Sequence, residues 1–198
     1  MAEQNTLRTD TAADVSHEEK GQTLLTLARG EIGRHLGLPA PAVPEKPWLQ
    51  KPGATFVTLT REGDLRGCIG SLEAHRPLVI DVRVNAVAAA FQDPRFPPVR
   101  YEEFELIRVE VSLLTPAEPL VAASEAEALR RLRPGVDGVI FEYGRYRSTF
   151  LPQVWEQLPD PAEFLAHLKR KAGLPADFWA EGVRLSRYGV VKWKEETR

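Results

Sequence analysis

Cysteine is almost missing from this sequence: Cys68 is the single thiol in 198 residues. One thiol makes no intrachain disulfide and cannot furnish a cysteine-cluster zinc or iron–sulfur centre. It fits a reducing compartment. Long apolar runs are also missing, and no stretch approaches the ~20 residues that cross a bilayer. The polar segment Met1–Asp14 lacks the hydrophobic region of a secretory signal. Neither sign of charge predominates, with Lys+Arg 26 against Asp+Glu 28 and a net charge of -2. That leaves no broad basic face for nucleic acid, although a local basic cleft stays open. His17, His35, His75 and His167 stand at no metal-ligand spacing, and HExxH, GxxxxGK[ST] and GxGxxG are all missing. The expectation is a cytoplasmic protein with no membrane and no nucleic-acid partner.

What is present is ordinary globular composition, 43% hydrophobic and 27% charged, enough for one domain with a sizeable core. Residues 1–15 read as a disordered tail and 16–198 as the domain. Ser16 and Glu19 form a capping box, followed by Leu24, Leu25, Ala28, Ile32 and Leu36 at helical spacing and a stop at Gly37. Five prolines between 39 and 53 make an extended connection. Ala54–Thr60 and Leu65–Ser71 form a hairpin around Arg61-Glu62-Gly63-Asp64. Pro77 opens a helix through Leu78, Val82 and Ala86. Ile107–Leu114 is a long strand, Ser124 and Glu127 cap a short helix, and Gly138–Tyr143 pairs with Arg145–Leu151. Asp160-Pro161 opens a helix closed by Gly173, and Val183–Trp193 is a final strand. Short turns between strands and irregularly placed helices argue for an α+β fold with a mainly antiparallel sheet.

Chemistry concentrates in Leu65-Arg66-Gly67-Cys68-Ile69-Gly70. Glycines inside a strand lose packing and are tolerated where backbone bulges or another group comes close. Gly67 and Gly70 therefore leave Cys68 little steric cover. Period-two alternation puts Arg66 and Cys68 on one face, where the guanidinium would lower the thiol pKa or bind an anion. The plain alternative is a small buried cysteine in a central strand. Phe91-Gln92-Asp93-Pro94-Arg95-Phe96-Pro97-Pro98 is a stiff loop, in which prolines restrict the backbone and two phenylalanines clamp it around Asp93 and Arg95. Glu110 and Ser112 lie on the polar side of their strand. Gln153 and Lys171 sit at helix ends.

At these residues the chain resembles the AMMECR domain family, which in prokaryotes is protein A of the AmmeMemoRadiSam set. The resemblance runs from Leu65–Gly70 through Ser71-Leu72-Glu73, Pro77-Leu78, Asp81-Val82, Asn85-Ala86 and Ala88–Pro98. It resumes at Val109–Ser112, Asp137-Gly138, Glu142-Tyr143-Gly144, Leu151–Val154 and Lys171–Leu174. It implies two subdomains with a cleft between them: a larger one formed by both termini and a smaller inserted one. It also implies Memo-type and radical-SAM partners, and it implies no particular reaction or cofactor.

Two functions follow as expectations. One is an enzyme or enzyme component on a small or peptide-like substrate, with Cys68 as nucleophile or thiol carrier, Arg66 stabilising the thiolate, and Glu110 and Asp93 in acid–base or orienting roles. Arg95, Asn85, Ser112, Gln153, Lys171 and the backbone at Gly67 and Gly70 would then position the substrate. The other is a non-catalytic binding or scaffold protein whose cleft receives a partner segment.

Overall fold

Ser16 opens the first helix by accepting a hydrogen bond from the Glu19 amide at 3.1 Å, satisfying one of the donors a helix start leaves bare. The computed structural model describes residues 15–196. The expected tail, Val15 apart, lies outside the described residues. Along the chain come α1 (His17–His35), β1 (Pro52–Gly53), β2 (Thr55–Arg61), β3 (Asp64–Gly70), β4 (Arg76–Pro77) and α2 (Leu78–Phe91). They are followed by β5 (Ile107–Leu114), β6 (Glu118–Leu120), α3 (Glu125–Arg131), β7 (Gly138–Tyr143), β8 (Tyr146–Phe150), α4 (Pro161–Lys171), β9 (Arg184–Tyr188) and β10 (Val190–Lys194). No helix among the described residues is long and apolar enough to cross a membrane.

The strands pair antiparallel throughout, in two four-stranded sheets of order β10-β5-β2-β3 and β6-β9-β7-β8 and a short β1-β4 pair. The fold is α+β. Each sheet has its own core. In the first, Val57, Leu59, Val109 and Val111 pack under Leu24, Ala28 and Ile32 of α1 and Val82, Ala86 and Ala89 of α2. In the second, Val139, Phe141 and Leu185 pack against Phe164, Leu165 and Leu168 of α4, and Trp155 stacks on Phe164 at 3.7 Å. Lys169 is wholly buried beside this core, with its Nζ 2.6 Å from Glu125 of α3.

The chain leaves the first sheet after β5 and returns to it at β10. The expected single strand Val183–Trp193 is in fact two strands in different sheets. Gly189 divides them, exchanging backbone and side-chain hydrogen bonds with Thr115 at 2.9 and 2.8 Å. Alternation continues across Gly189, so a period-two pattern alone hides the change of sheet. The two lobes also touch through an ion pair between Glu73 of the first and Arg147 of the second.

Candidate functional site

β3 is the outer strand of its sheet, not a central one. Glu62 and Gly63 both take positive φ, 55° and 94°, the geometry of a two-residue hairpin turn. Leu59 then faces Gly67 while Thr60 faces Leu65, so Arg66 is the extra residue of a bulge. The bulge breaks the alternation and overturns the expectation that Arg66 and Cys68 share a face. Arg66 reaches Glu103 with two parallel contacts of 3.0 Å. That guanidinium, helped by the Arg100 amide and opposed by burial, pushes the Glu103 carboxyl down to about 2. Arg66 is thus committed to an ion pair, and one of its terminal nitrogens, Nη1, is sealed without a hydrogen-bond partner.

Both glycines meet close neighbours. A Cβ on Gly67 would lie 2.2 Å from the Ala89 carbonyl oxygen of α2, so the helix backbone rests directly on the strand. A Cβ on Gly70 would lie 2.3 Å from the Phe56 ring.

The Asp93–Arg95 loop closes the open edge of β3 at Cys68. The Cys68 amide donates to Asp93 Oδ2 at 2.8 Å, and Arg95 Nη2 donates to the Cys68 carbonyl at 3.1 Å. A carboxylate and a guanidinium therefore do the work of a neighbouring strand, blunting an edge that would otherwise offer a free donor and acceptor. Arg95 also bonds Asp93 through its amide, Nε and Nη2. Arg95 above all holds the buried Asp93 carboxyl far below the usual carboxylate range, against the cost of burial, with the Cys68 amide adding to the effect. At neutral pH Asp93 is a fixed anion with its acceptors occupied, which suits positioning and not proton transfer. The phenylalanines clamp the loop less than expected. Phe91 and Phe96 are only half-buried; Phe91 stacks on His35 and Arg95 lies over the Phe96 ring. Val99, 3% exposed, is the buried apolar anchor.

The Cys68 side chain points to the sheet face away from α1 and α2. Register places Cys68, Thr58 and Glu110 in one row across β3, β2 and β5, with Gly70, Phe56 and Ser112 in the next row but one along the strands. Thr58 Oγ1 donates to Cys68 Sγ at 3.3 Å. Arg95, not Arg66, is the arginine bonded to Cys68, through its carbonyl, while Arg66 is bonded to Glu103.

The remaining candidates fall elsewhere. Asn85 sits on the helix side of the sheet, in a buried network in which it donates to Thr55 and Asp81, while Asp81 also accepts from Ser71 and Arg76. Sequence reading passed over Asp81 and Thr55 as polar partners, although an aspartate on an otherwise apolar helix face was the available signal. Gln153 is exposed on a 3-10 turn of the second lobe, and Lys171 bonds the Thr149 carbonyl and lies over the Phe150 ring. A groove of about 890 Å³ runs between α1 and β10, lined by Arg29, Phe104 and Trp193 among others. A second cavity of about 530 Å³ lies beside Arg61, Arg66 and Glu103. Cys68 lines neither.

Together these features define a two-lobed α+β protein whose lone thiol stands on a pinned edge strand. The AMMECR1 family pattern matches residues 25–193, and the chain belongs to the AMMECR1 family. It is 44% identical over 190 residues to a protein of Methanothermobacter thermautotrophicus, covering 93% of this chain and 98% of that one. It is 48% identical over 134 residues to a protein of Methanocaldococcus jannaschii, covering 67% of each. The crystal structure of uncharacterized protein PH0010 from Pyrococcus horikoshii superposes with a TM-score of 0.72 at 38% identity, over 90% of this chain and 92% of that chain.

Proposed function

We propose that the sheet face carrying Cys68 is the working site of an enzyme or enzyme component, with Cys68 as nucleophile or thiol carrier. The observation that carries this is the Thr58 hydroxyl donating to Sγ at 3.3 Å while Asp93 and Arg95 fix both polar groups of the Cys68 peptide. A hydroxyl on the sulfur and a pinned backbone hold the thiol in one orientation, which suits a nucleophile or a carrier. Arg95, in place of Arg66, is the arginine that holds the Cys68 peptide, and Asp93 becomes a positioning residue. Glu110 remains available for proton transfer or orientation. Memo-type and radical-SAM proteins are the proposed partners in a shared reaction sequence.

The only cysteine makes the test direct. Rates of iodoacetamide alkylation across pH 6–9 are compared with those of a small free thiol, in the native protein and in Thr58→Val. Faster reaction near neutral pH, slowed about threefold or more without the hydroxyl, supports the reading. Protection in the native protein, with reaction only on unfolding, ends it.

A second reading has one observation in its favour. Asp93 and Arg95, the charged pair bonded to the Cys68 peptide, are consumed in holding the strand, which suits a rigid recognition surface for a partner segment. Co-purification from extract separates the two. A stoichiometric partner retained by Cys68→Ser with no functional loss favours binding, and loss of product with the partner still bound favours catalysis.

A further inference from the structure

Among the described residues, Glu110 and Ser112 have no side-chain partner. Glu110 is half-buried on the Cys68 face, and no cation among the described residues pairs with it. Lys194 and Lys192 on β10 are the neighbours in register of Glu110 and Ser112, but both are exposed and neither bonds to them. Arg108, the next residue of that face along β5, gives its guanidinium to the Glu105 and Ile107 carbonyls. Ser112 is 7% exposed, yet its hydroxyl bonds nothing among the described residues. That oxygen is also not among the described side-chain atoms sealed from solvent without a partner. Beside it the Phe56 ring lies across Gly70, in register with both.

A carboxylate without a counter-ion among the described residues, a buried hydroxyl without a partner there and an aromatic ring make a coherent set. An ammonium or guanidinium group offers several N–H donors, pairs with a carboxylate and sits well on an aromatic face. Neutral or anionic groups satisfy fewer of these partners. Adjacent strands lie ~4.8 Å apart, so Glu110 and Cys68, two strands apart in one row, have Cα atoms roughly 10 Å apart. We infer that Glu110, Ser112 and Phe56 bind the cationic end of the ligand, an aliphatic amine or guanidine of about lysine or arginine side-chain length, whose other end reaches Cys68.

The inference rests on the reading of Cys68 as an available thiol, and the test separates the two. Three methanethiosulfonates are used on the full chain at low salt: aminoethyl (cationic), sulfonatoethyl (anionic) and methyl (neutral). Each transfers its thioalkyl group to the Cys68 thiolate as methanesulfinate leaves. The cationic-to-anionic rate ratio should exceed that of a small free thiol by about fivefold or more and shrink as salt is added. It should fall to near the free-thiol value in Glu110→Gln, an isosteric change whose fold is checked by its urea midpoint. Methylguanidinium should slow the neutral reagent in the native protein and not in Glu110→Gln. A ratio equal to the free thiol's, or one that Glu110→Gln leaves untouched, overturns the cation site while Cys68 stays an available thiol. If even the neutral reagent fails on native protein, the thiol reading falls first and this inference falls with it.

Discussion

Replacing Asp93 by asparagine keeps the size of the side chain and removes its charge. In the native protein the carboxylate accepts from the Cys68 amide at 2.8 Å, and from the Arg95 amide at 3.1 Å, Nε at 2.9 Å and Nη2 at 2.7 Å. An amide presents one acceptor oxygen and turns its NH2 toward donors. A hydrogen bond to a charged group is worth about 1.5–3 kcal/mol net, and such bonds within one cluster do not add. The Arg95 side chain is 53% exposed, so water recovers part of what it loses, whereas the Asp93 side chain, 2% exposed, gains no such help. The expected cost is about 2–4 kcal/mol at pH 7, a large share of the ~5–15 kcal/mol typical of a domain. The charge also ties this cost to pH. The native carboxyl titrates far below its unfolded value, so its contribution is complete above the unfolded pKa of about 3.9 and drains away as pH falls through the native value. Urea unfolding followed by tryptophan fluorescence should show the full gap between wild type and Asp93→Asn from pH 7 to about pH 5, then a narrowing gap below about pH 4. A gap under ~0.5 kcal/mol at pH 7, or one that stays constant into acid, refutes the edge-pinning argument.

Gly67→Ala places a Cβ against a main-chain carbonyl that cannot rotate aside; separating α2 from β3 should cost ~3 kcal/mol or more in urea unfolding, and a loss below ~1 kcal/mol would show that the helix is not seated on the strand. Glu103→Gln leaves Arg66, with its side chain 11% exposed, without a counter-charge and should cost about 1.5–3 kcal/mol. Because Glu103 titrates at about 2 when folded, that difference should fade as pH drops from about 4.5 toward 2, and a pH-independent difference would contradict it. Lys169→Met keeps the buried stem and should change stability by less than ~1.5 kcal/mol. Glu125→Ala strands the buried ammonium and should cost about 3 kcal/mol or more, and the reverse ranking from thermal melts would sink this account of the Lys169–Glu125 pair.

Local signals in the chain were enough for the four helices, for the strands β2, β3, β5, β7 and β8 and for the α+β class, but not for the short strands β1, β4 and β6 or for the division of the last strand at Gly189. The Ser16 cap, the Gly37 and Gly173 stops and the alternation of Ile107–Leu114 each act over a few residues, where hydrogen-bond satisfaction and periodicity are written directly into the residue types. The glycines at 67 and 70 announced close approach for the same reason, since only the missing Cβ permits it. Tertiary structure decided the rest. A bulge at Arg66 is a matter of register between two strands, and it sent that arginine to Glu103, 37 positions away in the chain. The position of β3 at the sheet edge depends on β5 pairing with the far side of β2, and it is the edge that gives Asp93 and Arg95 a strand to imitate. Only the sheet order sets Glu110 and Ser112 on the face of Cys68, because which side chains meet across a sheet depends on pairing between distant segments, and period-two alternation says nothing about the partner.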